Sequence, residues 1–94
     1  MNRDVLTFTG LIVQEGKGFW ALCPELDVAS EGRSVAKAKA MLQEAVTGYL
    51  ESCFESNLPY LRPVSKKDDP RQNQSENIAK TFRIRVDLAV KVHV

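Results

Sequence analysis

The stretch from Phe19 to Leu50 constrains this chain most. Phe19-Trp20-Ala21-Leu22-Cys23 is a short apolar run that stops at Pro24, a residue with no amide hydrogen to give to a strand ladder. A second short run, Val28 to Glu31, closes at Gly32. Ser34, a good N-cap, then opens a segment in which Val35, Ala38, Leu42, Ala45, Val46, Tyr49, Leu50 and Cys53 recur three and four residues apart. That spacing makes one apolar stripe on a helix packed against a sheet, predicted from about Val35 to about Phe54, with Pro59 barring much extension. Strand, strand and capped helix in that order fix the fold class, and they contain no catalytic constellation.

The flanking segments complete the sheet. In Val5 to Gln14, Leu6, Phe8 and Ile12 share a face at period two, with Gly10 between them as a bulge or a site of close approach. Glu15-Gly16-Lys17-Gly18 reads as the turn of a hairpin into Phe19. At the other end Phe82, Ile84, Val86, Leu88, Val90, Val92 and Val94 alternate with Arg83, Arg85, Asp87, Ala89, Lys91 and His93, the pattern of a strand. Between helix and closing strand, residues 57–80 read as an exposed, flexible loop. Its stretch from Lys66 to Ser75 has no apolar side chain to offset the entropy of ordering it. The expected architecture is α+β, β-β-β-α-β: three antiparallel strands, one long helix on the sheet and one long C-terminal strand.

The chain has 94 residues, which fits one domain spanning residues 1–94. A net charge of +1 gives no general drive toward nucleic acid or an anionic membrane. No apolar run approaches the roughly 20 residues that span a bilayer, and no signal peptide is visible, so a cytoplasmic protein is expected. Two cysteines, Cys23 and Cys53, and one histidine, His93, make reduced thiols the expectation and leave no basis for a metal or other cofactor.

The closing strand would run about 40 Å over its twelve steps, against about 30 Å for a compact domain of this size. It therefore bends or reaches a second chain, and a homo-oligomer, dimer or higher, is expected with Leu88, Val90 and Val92 at its interface.

The order of these residues resembles the HicB-like antitoxin family. The likeness lies in the Gly16/Gly18 turn, Phe19-Trp20-Ala21, Cys23-Pro24-Glu25-Leu26, Gly32 before the Ser34 cap, and Ala38, Leu42, Glu44, Ala45 and Tyr49-Leu50 on the helix. It covers roughly residues 5–50. It implies a partial ribonuclease-H-like fold and a protein that neutralises a HicA toxin, a small RNA-cleaving protein, by covering its active surface. Many members add a C-terminal DNA-binding domain. Here no helices follow Phe82-Arg83-Ile84-Arg85-Val86, so the resemblance implies a stand-alone form and DNA is not expected as a partner. Lys37 stands where members often carry an acid, so the reciprocal bond of a capping box is missing.

Several side chains are candidates for contact with a partner. Arg33, Lys37 and Lys39 crowd the helix N-terminus, against the macrodipole; they form either a basic patch for an acidic partner or a solvated face. Arg83, Arg85, Lys91 and His93, interrupted by Asp87, form a basic row on the last strand, which meets a partner or RNA, or guards an edge against aggregation. Trp20 is an interface anchor if exposed and core packing if not. Glu25 and Asp27 are a carboxylate pair near a strand end, as a metal-dependent nuclease would need, yet too few for a two-metal site. No catalytic residue is assigned. The sequence thus favours a non-enzymatic, antitoxin-like binding module. The alternative is a solitary module without a toxin that binds RNA or a small ligand.

Overall fold

A computed structural model of the chain describes residues 5–87. Lys91, Leu88, Val90 and Val92, and the last part of the expected closing strand, lie outside the described residues.

The fold is α+β. Strands β1 (Val5–Glu15), β2 (Gly18–Cys23), β3 (Val28–Gly32) and β4 (Ile78–Asp87) form an antiparallel sheet in the order β3-β2-β1-β4, with helix α1 (Val35–Glu55) across one face. The hairpin is where the glycines put it: Glu15 pairs with Gly18 across a two-residue turn, and Gly16 has φ +61°. Ser34 caps α1, its Oγ accepting the Lys37 N–H at 3.1 Å.

The helix face of the sheet carries the core. Phe8, Ile12, Ala21, Cys23, Val28, Ile84 and Val86 pack with Leu26 from the β2–β3 turn and with Ala38, Leu42, Val46 and Leu50 of α1. These helix residues are those the three-four spacing selects. Two glycines allow close approaches. At Gly32 a Cβ would lie 2.6 Å from the Ala38 backbone nitrogen, so only glycine lets β3 pass this close to α1. At Gly10 a Cβ would fall on the Phe82 ring, 2.6 Å from Cε1, because Phe82 is opposite Gly10 in the neighbouring strand and lies over it. Gly10 is therefore the close approach; the register shift in β1 lies further on, between Ile12 and Val13.

The second face of the sheet is buried too. Leu11, Val13 and Leu22 alternate with the helix-facing residues and so point away from α1, yet they are almost fully buried. The connection from α1 to β4 accounts for this and differs from the expected loop. It contains a turn of 3-10 helix (Lys66–Asp68), a short helix α2 (Pro70–Asn73) and a second 3-10 turn (Ser75–Asn77) that contacts β1. Most of its side chains are exposed, but Asp69 and Pro70 are buried. Its last three expected residues, Ile78 to Lys80, belong to β4, which begins four residues before the apolar alternation does. Backbone bonds pin it early: Arg62 N–H donates to the Glu25 carbonyl and Val64 N–H to the Pro24 carbonyl, both at 2.9 Å. Polar main-chain bonds, one buried proline and the Tyr60 ring, which packs against Phe8 and Phe54, thus order the strap.

Candidate functional site

Glu25 is a half-buried carboxylate with several partners, and its position follows from Pro24. β2 ends at Cys23, so on the N-terminal side of Leu11 the β2 edge of β1 has no strand partner, and proline cannot donate to it. The Glu25 carboxylate takes over that edge. Its oxygens accept the Thr9 N–H at 3.0 and 3.2 Å and the Thr9 hydroxyl at 2.8 Å, and the Cys23 thiol lies 3.6 Å from Oε1. Asp27, two residues on, occupies the turn with φ +53° and is exposed. The two carboxylates therefore do different things. Glu25 completes a sheet edge, and Asp27 shapes a turn. Among the described residues no three His, Cys, Asp or Glu side chains cluster in a way that could hold a metal ion.

Cys23 is buried at the same corner. Burial first, and the neighbouring Glu25 charge second, push its thiol up to about 12. It is protonated at neutral pH and a poor nucleophile.

The side chains picked out as partner-binding do not converge. Trp20 and Arg33 both line an open cleft of about 320 Å³ at one end of the sheet, with Glu15, Phe19 and Glu31. Trp20 is half-buried, on the face opposite α1 and paired with Val13, while Phe19 packs toward the core. Lys37 is exposed at the start of α1. Lys39 is half-buried, its ammonium 5.2 Å from the Phe82 ring centroid, so Gly10, Phe82 and Lys39 stack in one column from sheet to solvent. Arg83 and Arg85 are exposed on the sheet face away from α1, opposite Thr9 and Thr7, on the edge strand β4.

Other polar residues hold the strap and were not singled out from sequence. Arg62 donates through Nε to the Leu26 carbonyl (3.2 Å) and through Nη2 to the Asp27 carbonyl (3.3 Å), and its guanidinium lies 4.9 Å from the Tyr49 ring centroid. The Tyr49 hydroxyl donates to the Tyr60 carbonyl at 2.8 Å. Asp69 accepts from the Arg71 backbone N–H at 2.9 Å and pairs with its guanidinium at 2.7 Å. Those hydrogen bonds hold the Asp69 carboxyl below its ordinary range despite its burial. A signal for this anchor exists in the sequence, since Asp followed by Pro is a helix N-cap with proline at the first helical position.

The chain matches no family model and no curated protein sequence. In fold it is similar to a chain of a solved structure described as "HicA3 and HicB3 toxin-antitoxin complex", with a TM-score of 0.58. The likeness covers 84% of this chain and 95% of that one at 20% identity, so it is a likeness of fold. No helix among the described residues is long and apolar enough to cross a membrane.

Proposed function

We propose that this chain is a non-catalytic, antitoxin-like protein-binding module of HicB type, acting in the cytoplasm as a homo-oligomer. It would neutralise a small HicA-type RNA-cleaving toxin by covering the toxin's active surface, with no cofactor and no chemistry of its own. The observation that carries this reading is the fold likeness to a chain of a toxin–antitoxin complex over most of both chains. The use of Glu25 is in keeping with it: the carboxylate a nuclease would need is engaged by Thr9 and Cys23.

The test is capture from native extract with the full chain as bait, followed by an RNA-cleavage assay on what is captured. The reading expects a small RNA-cleaving protein whose activity falls to background at equimolar chain. It fails if the purified chain itself cleaves RNA, or if the captured ribonuclease is unaffected. The Trp20–Arg33 cleft favours a second reading, a ligand-binding module. That reading predicts saturable quenching of Trp20 fluorescence by small molecules or by RNA, the latter steeply salt-sensitive.

A further inference from the structure

β4 is the last strand of the sheet, and its outer side has no strand partner among the described residues. Which of its backbone groups face outward follows from Glu25. The Thr9 N–H points to the β2 side of β1, because it donates to the Glu25 carboxylate there. Backbone groups alternate sides along a strand, so Thr7, Thr9 and Leu11 all turn toward β2 and not toward β4. Their partners in β4 are Arg85, Arg83 and Thr81. These are the non-hydrogen-bonded pairs of the β1–β4 ladder, so the N–H and C=O groups of Thr81, Arg83 and Arg85 point outward. The residues that offer their backbone are therefore the residues that carry the guanidinium groups. Both arginines are exposed, and neither has an ion-pair partner among the described residues.

We propose that the outer edge of β4 receives an extended protein segment bearing carboxylates two residues apart. The proposal rests on the chain's being a contact module and adds where contact is made and what is recognised there. An incoming strand would exchange both backbone bonds with Arg83 and again with Arg85. In such pairs opposing Cβ atoms stand about 5 Å apart, so acidic side chains at positions i and i+2 meet the two guanidinium groups on one face. Main-chain pairing supplies affinity and the charges fix register and partner. In its longest register the arrangement disfavours a second copy of this strand, whereas a register centred on Arg85 would set each Arg83 against Asp87 of the other copy, so self-association is an outcome the test must read. The two-fold register that uses the whole of residues 81–87 centres on Ile84 and sets each Arg83 against Arg85 of the other copy, two like-charge contacts. It also disfavours RNA, which needs stacking surfaces: Phe82, the aromatic ring of β4, lies on the other face under Lys39.

The test is an amide titration by NMR of the full chain with three probes. They are an eight-residue strand peptide with two glutamates two residues apart among valines and threonines, the same peptide with lysines in their place, and oligouridine. The glutamate peptide should shift the Arg83 and Arg85 amides and slow their hydrogen exchange, while the Ile84 amide, which faces β1, stays unchanged. Binding should weaken at least about tenfold in the Arg83→Glu/Arg85→Glu double variant, which should now prefer the lysine peptide. Those arginines are exposed, so the variant should keep its fold, with the unshifted part of the spectrum as the check. The proposal is overturned by equal binding of both peptides or by no binding at millimolar glutamate peptide, which leaves the arginines as guards of the edge. It is also overturned by shifts confined to other strands, by oligouridine winning at the same amides, or by edge amides already protected in a self-associated chain. Failure here leaves the toxin-capture experiment untouched, because that assay needs no particular edge.

Discussion

Replacing Glu25 separates a carboxylate that works chemically from one that completes a sheet. In Glu25→Ala the Thr9 N–H and hydroxyl both lose their acceptor. A hydrogen bond to a charged acceptor contributes about 1.5–3 kcal/mol, and a buried donor left unpaired costs about 1–3 kcal/mol. The site is only part-buried, so water recovers some of this, and a net loss of about 2–3 kcal/mol is expected. The whole domain is stable by only about 5–10 kcal/mol. For a chain this short each kcal/mol moves the midpoint by about 4–8 °C, so thermal denaturation followed by circular dichroism should drop by about 10–20 °C. Glu25→Gln keeps one oxygen for the Thr9 N–H and should cost about 1 kcal/mol. Thr9→Val removes only the hydroxyl contact, and combining it with Glu25→Ala should cost less than the sum, a coupling of about 0.5–1 kcal/mol. The edge-completing role is refuted if Glu25→Ala melts within 2 °C of the parent (about the resolution of the method) or if the two changes add fully. A catalytic carboxylate behaves in the opposite way, since its removal abolishes turnover and leaves stability unchanged or higher.

Other perturbations test the packing and the strap. Gly10→Ala should destabilise by about 1–3 kcal/mol through collision with the Phe82 ring, and Gly10→Ala/Phe82→Leu should be more stable than Gly10→Ala alone, as urea denaturation would show. Gly32→Ala meets backbone instead of a movable ring and should cost more than Gly10→Ala, with loss of α1 helicity by circular dichroism. The depressed Asp69 carboxyl stabilises the fold fully above the usual aspartate pKa of about 3.9, and that contribution disappears as pH falls through the lower folded value. Acid titration of Trp20 fluorescence should accordingly show the strap releasing in that low range, and Asp69→Asn should already resemble the acid form at neutral pH. A thiol reagent should leave Cys23 unmodified in the native chain and react on unfolding, as mass spectrometry after a timed quench would reveal.

What the sequence made legible was set by periodicity. The α1 stripe and the Ser34 cap are repeated or positional signals, and the folded chain uses them as they stand. Tyr60 at the head of the strap could be read as packing back on the domain, and it does, but the rest of the strap was not legible because its order comes from single polar contacts. Arg62 reaches the Leu26 and Asp27 carbonyls across 36 and 35 positions, a separation no local pattern encodes. The early start of β4 was hidden for a related reason. Ala79, Lys80 and Thr81 break the alternation where the ladder shifts register opposite Ile12 and Val13. A signal for the second buried face was present in Leu11-Ile12-Val13. Three apolar residues in succession on a strand cannot all face one side, so that run marks a strand covered on both. Glu25 shows the same asymmetry at the site. A carboxylate after a strand-ending proline is visible in the sequence, but Thr9, its partner sixteen positions earlier, is supplied only by the fold.

With α1 on one face of the sheet and Leu11, Val13 and Leu22 buried on the other, little of either face at the centre of β1 and β2 is left to meet a partner. Contact must then be made at the sheet's sides, at its cleft, or on the outer surface of the helix and strap. The two sides are unequal. β3 spans five residues, carries a single acid, Glu31, and is tied to α1 through Gly32, so its backbone offers only a short edge beside the helix start. β4 spans ten residues and presents Thr81, Arg83 and Arg85 outward beyond its register shift. A partner strand gains more backbone bonds along β4, and only there do exposed arginines fix its register. If this chain works by covering another protein, the longer and basic side of the sheet is where pairing has the most to offer.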